Sequence, residues 1–174
     1  MKGPLARALL VCVFMNAIDL LLTQLDEAYD RRSWHGTNLR GSIRRVTAAD
    51  AAWRPARSRH NIQEIVVHCA YWKYAVRRRF TGEPRASFPL RGSNWFGRGS
   101  AEERSWREDI TLLHDAHRRL RLVIADLGLR RLEQTPRGSS VSNRAILSGI
   151  IAHDLYHAGQ IQLLKKLRTS RAPR

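Results

Sequence analysis

His153 and His157 stand four residues apart in the run His153-Asp154-Leu155-Tyr156-His157. On an α-helix that spacing places two side chains one turn apart on the same face. Two imidazoles so placed can bind one metal ion, because neutral imidazole is a ligand for zinc, nickel and iron. The apolar stripe around them runs Ile146, Ile150, His153, His157, Ile161 and Leu164, so both rings are expected to face a helix-bundle interior. A third histidine, His68, falls in a second apolar stripe with Ile62, Ile65, Ala70, Tyr71, Trp72, Ala75 and Val76. Burying an imidazole without a partner costs about 1–3 kcal/mol. Three of them on core faces call for a common reason. His68, His153 and His157 are therefore the candidate metal ligands. Three histidines from two helices leave coordination positions open to water or substrate, as reactive metal sites do. The competing reading of each is a hydrogen-bonded core histidine, and an HxxxH pair alone is common on helices.

Other side chains carry weaker signals. Glu64, one turn before His68, reads as a base or as an acceptor for a ligand's N–H, or simply as a helix-capping carboxylate. Gln160, just beyond His157, is placed to orient a ligand or a water. Tyr71 and Tyr156 are candidate hydrogen-bond donors, with core packing as the equal alternative. His117 reads as a support for the site or as a core residue, His114 as solvated or core, and His60 as surface. Cys69 adjoins His68 but is expected on a different helical face. No Ser-His-Asp or Cys-His pattern is visible, and no catalytic residue is assigned. Cys12 and Cys69 lack CxxC spacing and read as buried thiols in a reducing, cytoplasmic compartment.

Four stretches with helical apolar spacing must position these residues. The first runs from about Leu5 to Asp30. The second runs from Asn61 to Thr81, with an Asn61/Glu64 capping box and Gly82 as its stop. The third runs from Ala101 to Leu127, with Ser100/Glu103 as its capping box and Gly128 closing it. The fourth runs from Asn143 to Arg168, capped by Ser142. No stretch alternates as a half-buried strand would. The fold class is thus all-α, a four-helix bundle. Residues 18–168 form the bundle, 1–17 extend its first helix, and 169–174 are a basic tail. The linkers 36–60 and 83–99 are long enough for crossovers. The second carries Phe88, Trp95 and Phe96 and is expected to pack.

Composition narrows the function. The chain has 174 residues, enough for one core. Lys+Arg number 31 against 15 Asp+Glu, a net charge of +16. Such an excess suits an anionic partner, but the arginines are spread along every segment and no nucleic-acid-binding motif appears. No specific nucleic-acid partner is expected, and no membrane partner either. Ala8 to Met15 is an apolar run after Lys2 and Arg7. It resembles a weak signal peptide without a convincing cleavage site, and is too short to span a bilayer. It reads as an extension of the first helix, or as residues upstream of a true start at Met15.

The stretches His60 to Lys73 and Ile151 to Ile161, the latter with His157-Ala158-Gly159-Gln160, resemble the DinB/YfiT-like superfamily. Trp34-His35-Gly36 and Gly92-Ser93-Asn94-Trp95 resemble one bacterial branch of it. The resemblance covers about Ile18 to Leu167. It implies a four-helix bundle of up-down-down-up topology, often dimeric. It also implies a divalent metal, zinc or nickel in many members, on three histidines matching His68, His153 and His157. Characterised relatives include S-transferases that use a low-molecular-weight thiol, bacillithiol or mycothiol, and maleylpyruvate isomerase-like enzymes. A metal-dependent transferase or hydrolase acting on a small molecule is therefore the expectation. The alternative is a non-catalytic metal-binding module for stress response or partner binding, and a nucleic-acid binder stands behind both.

Overall fold

The computed structural model describes residues 16–136 and 138–170, and all their regular structure is helical. The first helix, α1 (Ala17–Tyr29), starts at a capping box. The Asn16 side chain accepts hydrogen bonds from the Ile18 and Asp19 amides, and the Asp19 carboxylate accepts one from the Asn16 amide. The portion of the expected first helix before Asn16, and Cys12 with it, lies outside the described residues. The linker from Gly36 to His60, read as long enough for a crossover, contains two short helices, α2 (Leu39–Ser42) and α3 (Ala48–Ala52), capped by Asn38 and Thr47. Helix α4 (Ile62–Thr81) has the expected Asn61/Glu64 box, and ends at Gly82 in the left-handed conformation, φ 75°. A 3₁₀ turn follows at Arg85–Ser87.

Helix α5 (Glu103–Ala125) departs from expectation at both ends. No side chain caps it. The Ser100 hydroxyl accepts from the Glu102 amide, and the Glu103 carboxylate accepts from the Ala48 amide at 2.9 Å. Glu103 thus caps α3, drawn by the unpaired amides and positive end of a neighbouring helix. Gly128, φ 71°, does not merely close α5; it turns the chain into a short α6 (Leu129–Leu132). The last helix, α7 (Asn143–Ser170), begins with the Ala145 amide donating to Ser142 Oγ.

Two apolar clusters fill the bundle. One joins Ile18 and Leu21 at the start of α1 to Val76 and Phe80 at the end of α4. It also takes Leu120 and Ile124 late in α5 and Ile146 and Leu147 early in α7. The other joins Tyr29, Ile62, Ile65, Trp106, Leu113, Ile161 and Leu164. Helices α4 and α5 therefore run in one sense, and α1 and α7 in the other. The connection from Gly82 to Glu102 must recross a 20-residue helix, about 30 Å. That return path carries Asn94 and Trp95 over the middle of α4, beside His68. Among the described residues, no helix is long and apolar enough to cross a membrane.

Candidate metal centre

His68 projects from the middle of α4, and His153 and His157 from the middle of α7. The three rings meet inside the bundle. His153 Nε2 lies 3.1 Å from His68 Nε2 and 3.2 Å from His157 Nε2. The three ligand nitrogens all fall within 4.8 Å of one another. Two nitrogens bound tetrahedrally to one zinc ion sit about 3.3 Å apart, so the two close pairs have the spacing of neighbours on a single ion.

The outer edges of two rings fix which nitrogen faces the centre. His68 Nδ1 donates to the Asn94 carbonyl at 2.8 Å. A carbonyl only accepts, so His68 carries its proton on Nδ1 and turns the Nε2 lone pair inward. His157 Nδ1 donates to Gln160 Oε1 at 2.8 Å, and Gln160 Nε2 donates to the Tyr156 hydroxyl at 2.9 Å. Metal-ligating histidines are held by this kind of outer hydrogen bond. His153 Nδ1 is buried with no partner. In neutral rings, only His153 can bring an N–H to the centre, and one hydrogen cannot match two facing lone pairs well. A cation satisfies all three Nε2 atoms together. The donor set fits a divalent metal on these grounds.

Burial keeps the rings neutral, as ligation requires. It lowers the pKa of His68, takes His153 to about 3 with help from repulsion by His157 and His68, and takes His157 to about 4. All three donors are uncharged, so a divalent ion here would keep its full charge and favour an anionic fourth ligand.

The loop that clamps His68 depends on Asn94. Its φ of 64° is left-handed, a region asparagine tolerates better than most residues. In that conformation its carbonyl receives His68 while its side-chain oxygen receives Trp72 Nε1 at 2.9 Å. The next residue, Trp95, stacks between two imidazoles, 3.6 Å from His60 and 3.8 Å from His68 between ring centroids. The expected packing of this loop is thus realised as a lid over His68. The sequence marks Asn94 and Trp95 through the loop's length and aromatic content and through the Gly92-Ser93-Asn94-Trp95 resemblance, but gives neither a role at the histidines.

Glu64 faces away from the histidine cluster. Its carboxylate takes a bidentate pair from Arg54, at 2.6 and 2.8 Å, a bond from His60 Nδ1, and backbone amides from Asn61 and Arg98. Burial pushes its pKa up, but the Arg54 and His60 bonds outweigh this and hold it at about 2. A carboxylate so engaged is an anchor between the α3–α4 turn and the long crossover. Tyr71 packs with Phe88 and Phe96 and makes no bond to the histidines. Tyr156 is exposed rather than core, its ring edge against His157. His60 is half-exposed, as expected, but it braces Trp95 and Glu64.

His117 is buried elsewhere, stacked on Tyr29 at 3.7 Å, and burial takes its pKa to about 2. His114 Nδ1 lies 3.5 Å from the Tyr29 hydroxyl. Neither meets the metal centre.

Cys69 is less remote than its helical position implied. Its sulfur lies within 4.8 Å of a His153 nitrogen and an Asp154 oxygen. It is fully buried, and burial raises its pKa well above the ordinary thiol value. Beside it, Lys73 and Asp154 form a completely buried ion pair that the sequence pattern did not reveal. Lys73 also lies over the Tyr29 ring, 5.2 Å from its centroid. A cleft of about 1050 Å³ lies apart from all of this. Arg31, Arg32, Arg40, Arg44, Arg45 and Lys165 line it, and no histidine does.

The family model described as the DinB superfamily matches residues 24–161, which include all three histidines. No curated protein and no solved structure matches the chain.

Proposed function

The chain belongs to the DinB superfamily, and from that premise we propose that His68, His153 and His157 hold one divalent ion, zinc or nickel, in an enzyme acting on a small molecule. The observation that carries this is the convergence of three Nε2 atoms, with the His68 ring oriented from behind by Asn94 and the His157 ring by Gln160. A bound ion would supply Lewis acidity and lower the pKa of a thiol or water nucleophile toward neutrality. The residues of the chain do the remaining work. Asn94 and Gln160 hold His68 and His157 in one tautomer. Trp95 covers the His68 face and excludes water from it. With two apolar clusters packing the bundle, the chain is expected to fold without the ion.

The favoured chemistry is transfer of a low-molecular-weight thiol to an electrophile, with hydrolysis second. The working form is a cytoplasmic homodimer. Metal-loaded protein is assayed against a panel of thiols and electrophiles, with and without chelator. Metal-dependent conjugation is expected, and no conjugation across the panel would rule out the transferase. The non-catalytic alternative is separated by the same chelation: a purely structural ion predicts unfolding on its removal, whereas the intact apolar clusters predict a folded apo-protein.

A further inference from the structure

A cavity of about 190 Å³ opens between α4 and α7, with His153 as one wall. From α4 it is lined by Trp72, Val76 and Arg79, and from α7 by Gly149 and Ile150. Residues 72, 76 and 79 share one helical face, as do 149, 150 and 153. The two helices run in opposite senses, so Trp72 lies level with His153 and Arg79 lies toward the start of α7. Seven residues along α4 span about 10 Å. The cavity is therefore a short groove with the His153 ring at one end, apolar walls in the middle and a guanidinium at the other end.

Two details mark the groove as more than a seam between helices. Arg77, Arg78 and Arg79 are consecutive, but their fates differ. Arg77 pairs with Glu83, and Arg78 donates to the carbonyls of Glu83 and Pro84. Among the described residues, Arg79 has no hydrogen-bond or carboxylate partner, so its charge is available to a ligand. Gly149 lies well inside a 28-residue helix, where glycine costs about 1 kcal/mol relative to alanine. A Cβ built there would meet no heavy atom within 4 Å. Glycine is thus not forced by the chain's own packing, and its missing side chain leaves the groove open.

We infer that this groove binds the apolar body of the substrate, with Arg79 taking a carboxylate at the end remote from the histidines. An apolar cavity of about 150 Å³ accommodates benzene, so the body is a single ring or a short branched chain. The ligand class is an aryl- or alkyl-carboxylate about 10 Å long whose reactive group faces His153. This rests on the metal-enzyme reading for the identity of the reacting end, but the groove and its arginine stand independently of it.

The test is calorimetric binding of 3-phenylpropionate, its neutral amide and 3-phenylpropylamine to the full chain, each with and without zinc. Wild type, Arg79→Gln and Gly149→Leu are compared, with thermal melts confirming the fold of both variants. Wild type is expected to bind the acid in preference to the amine with or without zinc. Arg79→Gln should weaken the acid about tenfold or more, as loss of a charged hydrogen bond does, and leave the amide unchanged. Gly149→Leu should weaken acid and amide together by filling the groove. The inference is overturned if the acid does not bind, or if its binding ignores both substitutions. It is equally overturned if the acid binds only with zinc and regardless of Arg79, which would put the carboxylate on the ion. A protein that takes up no zinc yet shows the expected pattern upholds the groove and defeats the metal reading alone.

Discussion

Asp154 is fully buried and meets Lys73, also fully buried, as an ion pair. His153, one residue earlier on the same helix, meets two further imidazoles and no counter-ion. The first cluster is balanced in charge: a cation and an anion face each other, although one carboxylate oxygen, Asp154 Oδ1, is left without a hydrogen bond. The second is open: ring nitrogens converge, and a cation from outside the chain would satisfy them together. His117 makes the same point with a single residue type. It is as buried as His157, but it stacks on Tyr29 and touches no other histidine ring. Burial of a histidine therefore does not mark a ligand. Convergence of Nε2 atoms from several rings, two of them with Nδ1 held from behind, is what sets His68, His153 and His157 apart.

The sharpest way to break the comparison is to unbalance the first cluster. Lys73→Met strands the Asp154 carboxylate in the core and should cost about 3–5 kcal/mol in urea unfolding. The double variant Lys73→Met with Asp154→Leu should recover most of that loss. A single variant as stable as wild type would mean that the pair is not closed off from water. Next in size is Glu64→Gln, which weakens charged hydrogen bonds to Arg54 and His60. It should cost about 1.5–3 kcal/mol and leave metal content unchanged, whereas loss of the metal would restore Glu64 to the site. Gln160→Ala removes the partner of His157 Nδ1 and should weaken metal affinity about 10–100-fold with little change in the melt. Competition with a chelator of known affinity measures it.

The last effect is a pH slope. His117 titrates at about 6.5 when unfolded and at about 2 when folded. The unfolded chain therefore takes up the proton more readily. The stability that neutral His117 contributes is fully present above pH 6.5 and is lost as pH falls from there toward 2. Glu64, lowered from 4.5 to about 2, adds its own loss only below pH 4.5. His117→Phe keeps the stack on Tyr29 and should make the decline of apo-protein stability between pH 6.5 and 4.5 shallower, leaving the part that His153 and His157 contribute. An unchanged slope would show that His117 is already protonated in the folded state.

Much of this was legible in the sequence because it depends on local spacing. The 3.6-residue period placed His153, His157 and His68 on core faces, and Asn61 with Glu64 marked the start of α4. What was not legible depends on contacts between distant segments. Glu103 resembles half of a capping box, and only the approach of α3 reveals that it caps Ala48 instead. Lys73 and Asp154 look like polar positions on amphipathic helices, and only antiparallel packing of α4 and α7 brings them together. Asn94 gains its role from a left-handed backbone and a crossover path, neither of which a residue pattern specifies. Arg79 reads as one of three equivalent arginines until Glu83 and the carbonyls beside it engage the other two.

The most direct test is elemental analysis of the full chain purified without added metal, beside His153→Ala, with a thermal melt of each. The expected result is one divalent ion per chain in wild type and none in the variant, both folded. Equal metal content in the two proteins would contradict the three-histidine centre. So would a wild-type chain that stays metal-free after incubation with zinc and nickel.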